Sequence, residues 1–165
     1  MGKNIVVGVS GGIAAYKACD VVSKLKKQGF EIDVIMTKNA QEFVSPLTFQ
    51  TLSNQTVVTD MFETPSDWNV EHIELAKKAD VFVIVPATAN IIGKIANGIA
   101  DDMLTTTIMA TEAKKVIVPA MNTKMYNNPF VQENILKLKK YGYYFIEPVS
   151  GLLACGDTGK GKMED

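Results

Sequence analysis

The sequence predicts an α/β domain built on a Rossmann-like, doubly wound parallel sheet, and three observations predict it. Short β-branched apolar runs recur along the chain, stretches of helical period lie between them, and Gly or Pro marks many of the joins. The first run, residues 5–9, is too short for a helix and apolar throughout, as a strand buried on both faces must be. Gly11-Gly12 follow, then a helix with Ala14, Ala18, Val21, Val22 and Leu25 on one face, ended by Gly29 where positive φ is tolerated. Residues 31–36 form the second strand. Residues 40–52 read as one helix, or two short ones divided at Pro46, and residues 59–69, with Pro65 and Ser66, as a loop. A helix over 70–78 leads into a strand at 81–85. Helical segments at 91–96 and 103–111, a strand at 116–118, a helix at 129–141 and a strand at 143–146 continue the alternation. From Pro148 onward the chain is Gly-rich and has no period.

Composition narrows the function classes. A chain of 165 residues, 47% hydrophobic, suits one domain spanning 1–165 and is too apolar for a disordered segment. With 17 basic and 18 acidic side chains it has no electrostatic footprint for nucleic acid or an anionic membrane. Cys19 and Cys155 lie far apart and there is one histidine, so neither a disulfide scaffold nor a metal cluster is expected. A strand beginning at Asn4 leaves no room for a signal peptide, and the uncharged stretch 81–93 is short and broken by Pro86. A soluble, cytoplasmic domain is the expectation.

In open α/β sheets, ligands bind outside the carboxyl ends of the strands. Those ends here carry Ser10-Gly11-Gly12, Thr37, residues 86–90, residues 119–122 and the tail after Pro148. His72 falls near a helix N-terminus at the same rim, behind the plausible cap Asn69. Gly8-Val9-Ser10-Gly11-Gly12 is not the dinucleotide fingerprint, but a Gly/Ser loop opening a helix can offer backbone N–H groups to a phosphate. The same residues match the Gly-x-Ser-x-Gly nucleophile elbow, and the order Ser10, Asp60 or Asp67, His72 permits a hydrolase triad. The string 156–162 imitates a phosphate-binding loop until Met163 stands where Ser or Thr is needed, and no helix follows. Asn122 ends a strand, as a turn-former or as an amide for a polar ligand. Cys155, in the Gly-rich tail, is placed to be exposed and reactive, whereas Cys19 has core periodicity. Met121 and Met125 read as packing.

Five strings occur in order: Gly-Val-Ser-Gly-Gly-Ile-Ala-Ala-Tyr-Lys (8–17), His72-Ile73, Pro-Ala-Thr-Ala-Asn (86–90), Pro-Ala-Met-Asn (119–122) and Ala-Cys-Gly-Asp (154–157). Together they closely resemble the flavin-containing cysteine decarboxylases, and within them the phosphopantothenoylcysteine decarboxylases of coenzyme A biosynthesis. The resemblance covers essentially the whole chain and implies the flavoprotein fold. It implies FMN held by Ser10, Gly11, Gly12, Thr37, Lys38, Thr88, Ala89, Asn90 and Ala120. It implies His72 as the active-site base, Cys155 as the proton donor, and Asn122 and Ala154 as substrate contacts, with Asn122 on the carboxylate. Oxidation at the thiol-bearing carbon would make CO₂ loss feasible, and return of the electrons would give 4′-phosphopantetheine with no external reductant. Peptidyl-cysteine decarboxylases share the His and Pro-x-Met-Asn features but lack the cysteine of Ala-Cys-Gly-Asp, so Cys155 favours the coenzyme A enzyme. A non-catalytic FMN-binding homologue is a further alternative. The resemblance also implies a homotrimer or a dodecamer of trimers with FMN near the subunit interface. A phosphopantothenate–cysteine ligase, fused or separate, is an implied partner; no such domain is expected within 1–165.

Overall fold

The structure is a computed structural model that describes residues 2–62 and 71–165. Strands β1 (Asn4–Val9), β2 (Glu31–Met36), β3 (Val81–Ala87), β4 (Lys114–Pro119) and β5 (Tyr144–Phe145) form a parallel sheet in the order β2-β1-β3-β4-β5. Side chains alternate between two cores. From β1, Ile5, Val7 and Val9 enter one core and Val6 the other, which is why this strand is apolar at consecutive positions. Helices α1 (Ala15–Lys27) and α2 (Pro46–Ser53) contribute to the first core through Ala18, Val22 and Phe49. Helices α3 (Glu71–Lys78), α4 (Ala89–Ala96) and α5 (Met103–Ala110) fill the second through Leu75, Ile91, Ile92 and Leu104. After the single turn α6 (Thr123–Tyr126), helix α7 (Pro129–Lys140) adds Ile135 and Leu138 to that second core. The sheet is thus wound on both sides, as the sequence predicts.

Local chemistry explains the boundaries. Gly29, at φ 91°, follows the end of α1. Pro46 divides the 40–52 region, as expected, into a 3-10 turn at Asn39–Glu42 and α2, whose cap Ser45 accepts the Leu47 N–H. Gly8 lets α5 approach the sheet: a Cβ there would lie 2.3 Å from Leu104 Cδ1. Helix α4 starts two residues earlier than its apolar period suggests, because Thr88 caps it by accepting the Ile91 N–H.

One expectation needs correction. The stretch after Pro148 is an antiparallel hairpin, β6 (Val149–Leu152) paired with β7 (Thr158–Lys162). Its signal is faint because most of its residues are exposed, and what holds it is backbone contact. Gly161 sits so close to Met121 that a Cβ would lie 2.2 Å from the Met121 carbonyl oxygen, and the Met121 N–H donates to Gly161 O at 3.0 Å. The period-two spacing of Gly159 and Gly161 is the trace this leaves in the sequence. Helix α6, one turn long, has too few residues to show a period. Asp67, Asn69, Val70 and most of the 59–69 loop lie outside the described residues.

Candidate active site

The order 2-1-3-4-5 reverses direction between β1 and β3, and at such a switch point the loops leave the sheet on opposite sides and open a crevice. Ser10 braces its floor. Its hydroxyl donates to Pro86 O at 2.7 Å and accepts the Thr88 N–H at 3.1 Å, tying the end of β1 to the end of β3. The residue is 2% exposed. A nucleophile elbow presents its Oγ to substrate, whereas this one is buried and spent on backbone groups, so the serine hydrolase reading does not fit.

Above Ser10 lies a cavity of about 560 Å³ lined by the start of α1, the start of α4, the loop after β4 and the terminal hairpin. Most of its wall is apolar, with Ile13, Tyr16, Ala89, Ala120, Met121 and Leu152 contributing. Its polar end is the loop before α1. Among the described residues, the N–H groups of Gly11, Ile13 and Ala14 meet no backbone carbonyl, and no side chain caps the helix. Three open donors at a helix N-terminus suit an anion, and Gly12 leaves room beside them. Gly11 is needed for a different reason: a Cβ there would lie 2.5 Å from Asn39 Cβ, just past Thr37 and Lys38. A mostly apolar cavity of this volume with open N–H donors at a helix N-terminus fits a flavin nucleotide.

Opposite the nest, Asn122, Cys155 and Asp157 form a ring of contacts. Asn122 caps α6, its Oδ1 accepting the Lys124 N–H at 2.8 Å. That fixes the amide plane and turns Nδ2 towards the hairpin. Nδ2 donates to Cys155 Sγ at 3.4 Å and to Asp157 Oδ2 at 3.2 Å, and the thiol faces the same oxygen at 3.6 Å. Cys155 is exposed, as expected, but on an ordered turn, where Leu153 N–H donates to Asp157 O and Gly156 N–H to Leu153 O. Behind α6, Tyr126 donates to Glu147 Oε2 at 2.7 Å while Lys139 pairs with Oε1 at 2.5 Å and Lys160 of β7 stacks over the Tyr126 ring. Burial, helped by Glu147, pushes the Tyr126 phenol up to about 12. Lys139 and then Tyr126 hold the Glu147 carboxyl below its ordinary value.

The cavity therefore gathers Gly11, Gly12, Thr88, Ala89, Ala120, Asn122, Ala154 and Cys155 of the expected site residues, with Ser10 beneath them. Thr37, Lys38 and Asn90 flank it without lining it; Thr37 Oγ1 instead accepts the Ala40 N–H. His72 does not line it either. It is half-buried at the start of α3, whose Leu75 packs into the core on the other side of the sheet from α1. Sequence reasoning missed Tyr16, Lys17, Leu153 and Lys162 as wall residues, and gave Asp157 no role. Met121 and Met125, read as packing, also line the cavity. Tyr16 and Lys17 share the first turn of α1 with the nest, a signal that was available. The others depend on the hairpin. Cys19 is half-buried against the core, and burial pushes its thiol up.

The Flavoprotein family profile matches residues 1–165. The chain belongs to the Flavoprotein family. A flavin is accordingly the cofactor of this protein. It is 54% identical over 163 residues to the coenzyme A biosynthesis bifunctional protein CoaBC of Bacillus subtilis, covering 99% of this chain and 40% of that protein. It is 46% identical over 167 residues to a "Probable phosphopantothenoylcysteine decarboxylase" of Streptococcus mutans, covering 100% of this chain and 93% of that one. Among solved structures, the FMN-dependent cysteine decarboxylase SpaF superposes with a TM-score of 0.88 at 34% identity, covering 99% of this chain and 90% of that one. A mutant PPC decarboxylase complexed with pantothenoylaminoethenethiol gives 0.86 at 33% identity, covering 100% and 92%. The flavoprotein thus spans about two-fifths of its bifunctional relatives and nearly all of the monofunctional one. Among the described residues, no helix is long and apolar enough to cross a membrane.

Proposed function

We propose that this flavoprotein catalyses the FMN-dependent decarboxylation of 4′-phosphopantothenoylcysteine to 4′-phosphopantetheine in coenzyme A biosynthesis, with residues 1–165 acting as one decarboxylase unit. The observation that carries the reading is the 3.4 Å contact between Asn122 and Cys155 in the wall of the mostly apolar cavity. The chemistry FMN supplies when bound is a reversible two-electron sink, without which CO₂ loss from an N-acylcysteine would leave an unstabilised carbanion. The open N–H groups of Gly11, Ile13 and Ala14 would hold its phosphate, and Ser10, Thr88, Ala89 and Ala120 would shape its slot, with Thr37, Lys38 and Asn90 at the flank. Asn122 Nδ2 holds the substrate carboxylate, and Ala154 packs against the substrate. His72 takes the substrate's thiol proton. Cys155 Sγ donates a proton to the enethiolate carbon left by CO₂. General acid–base steps of this kind contribute about 10²–10⁴-fold each.

Because His72 lies off the cavity of its own chain, a second copy brings it to the site. This reading accords with a homotrimer, or four such trimers, and with exposed Ile13, Tyr16, Met125 and Leu152 around the opening. A phosphopantothenate–cysteine ligase supplies the substrate, and both act in the cytoplasm; that the CoaBC relatives are bifunctional and span far more than this chain leaves room for such a partner. Lys162 in the wall, beside Lys17 whose ammonium pairs with Asp165, favours a phosphorylated substrate over a peptide with C-terminal cysteine. The test releases the bound flavin by heat for identification by mass, then compares CO₂ release from the two substrate types. FMN and preference for the phosphorylated substrate support the proposal. Preference for the peptide turns it into a peptidyl-cysteine decarboxylase, and bound FMN with no CO₂ from either turns it into a binding protein.

A further inference from the structure

We propose that Asp157 is an internal carboxylate that occupies the Asn122 amide and the Cys155 thiol together, and yields both only to a ligand carrying its own carboxylate. The inference rests on the reading of Asn122 as the group that holds the substrate carboxylate. An amide nitrogen has two hydrogens to give. With its oxygen held by Lys124 N–H, Asn122 has spent both of them, one on Cys155 Sγ and the other on Asp157 Oδ2 at 3.2 Å. Sulfur is the weaker acceptor and yields its N–H first, but a carboxylate arriving there lies beside the Asp157 carboxylate on the same amide nitrogen, like charge against like charge. Two carboxylates cannot share one N–H at hydrogen-bond distance without strong repulsion. Asp157 is able to give way: its backbone is pinned by Leu153 N–H, while its exposed side chain is held by the Asn122 and Cys155 contacts.

The exchange has a second consequence, because the oxygen that leaves Asn122 is the one facing Cys155 Sγ at 3.6 Å. Arrival of the substrate carboxylate therefore frees the thiol to face the substrate. A ligand of the same shape without a carboxylate, such as the decarboxylated product, leaves the ring closed and Cys155 held.

The test uses the FMN-loaded protein and two probes in equilibrium dialysis: 4′-phosphopantothenoylserine, which keeps the carboxylate and lacks the thiol, and 4′-phosphopantetheine. Removing the competing carboxylate in Asp157→Ala is expected to tighten the serine probe about tenfold, the worth of one charge-assisted hydrogen bond at an exposed site, with product affinity unchanged. Asp157→Asn, which keeps an acceptor oxygen without the charge, falls between, and carries the test if the alanine variant loses its FMN. Equal effects on both probes, or weaker binding of the serine probe by both variants, would assign Asp157 to shaping the turn and overturn the proposal. Failure of the unaltered protein to bind either probe would instead remove the substrate reading, and the proposal with it.

Discussion

Gly161→Ala puts the contact between the hairpin and the Asn122 loop to the test. A Cβ at this position would sit 2.2 Å from the Met121 carbonyl oxygen, where contacts below 3.0 Å essentially never occur. One backbone must therefore move by about 0.8 Å, and either shift changes the distance between the hairpin and the loop that carries Asn122. The φ of 150° adds strain that glycine alone avoids. Loss of the Met121–Gly161 hydrogen bond costs about 0.5–1.5 kcal/mol and the backbone strain about 1–3 kcal/mol. Together they give a loss of roughly 2–4 kcal/mol in urea denaturation of the FMN-loaded protein. Gly142→Ala is the control: φ is 90°, nothing lies within 4 Å, and only the strain applies. Displacing Asn122 from Cys155 by most of an ångström should also lower kcat by up to about 100-fold, which the control should not do. Stability and kcat both indistinguishable from the unaltered protein would refute the reasoning that β7 sets the position of Asn122.

Other residues give independent outcomes. His72→Asn should abolish turnover with FMN still bound; activity should return when it is reassembled with Cys155→Ser subunits, each copy supplying what the other lacks, and no recovery would place His72 and Cys155 in the same subunit's site. Cys155→Ser should still release CO₂ but stall before the final product, whereas normal product formation in a stopped-flow assay would end its role as proton donor. Ser10→Ala should cost about 1–3 kcal/mol, because it leaves the Thr88 N–H without its partner and Pro86 O with only the longer Ser10 N–H contact at 3.4 Å, and should lower flavin retention on gel filtration. Glu147 has a lowered folded pKa, so its contribution to stability is present above the ordinary glutamate range and is lost as pH falls through the lowered value. The difference in denaturation midpoint between the unaltered protein and Glu147→Gln should therefore be full at neutral pH and shrink in acid; a difference that grows in acid would contradict the assignment.

Much of this molecule is legible in its sequence because the central elements are decided locally. The run over 5–9 can only be a strand buried on both sides, Gly29 can only end a helix, and Pro46 with Ser45 before it divides the 40–52 region in the way observed. Once the alternation is read, the carboxyl rim follows, and with it the gathering of Gly11, Gly12, Thr88, Ala120 and Asn122. The hairpin is harder to read because its strands bury little and depend on a backbone approach to residues some forty positions away. Its loss from the reading took Leu152, Leu153 and Lys162 out of the expected wall and left Asp157 without neighbours. His72 shows a different limit. Its rim position follows from topology, but which face of the sheet a rim residue serves depends on the side taken by its helix, and the apolar period of α3 does not encode that side.

The most direct measurement follows the flavin spectrum and the product mass in one anaerobic cuvette after addition of 4′-phosphopantothenoylcysteine. The account predicts a substrate lighter by one CO₂, an intact thiol, and flavin that ends oxidised with no reductant or oxygen consumed. Flavin left reduced in proportion to the product, or a substrate that loses no CO₂, would contradict it.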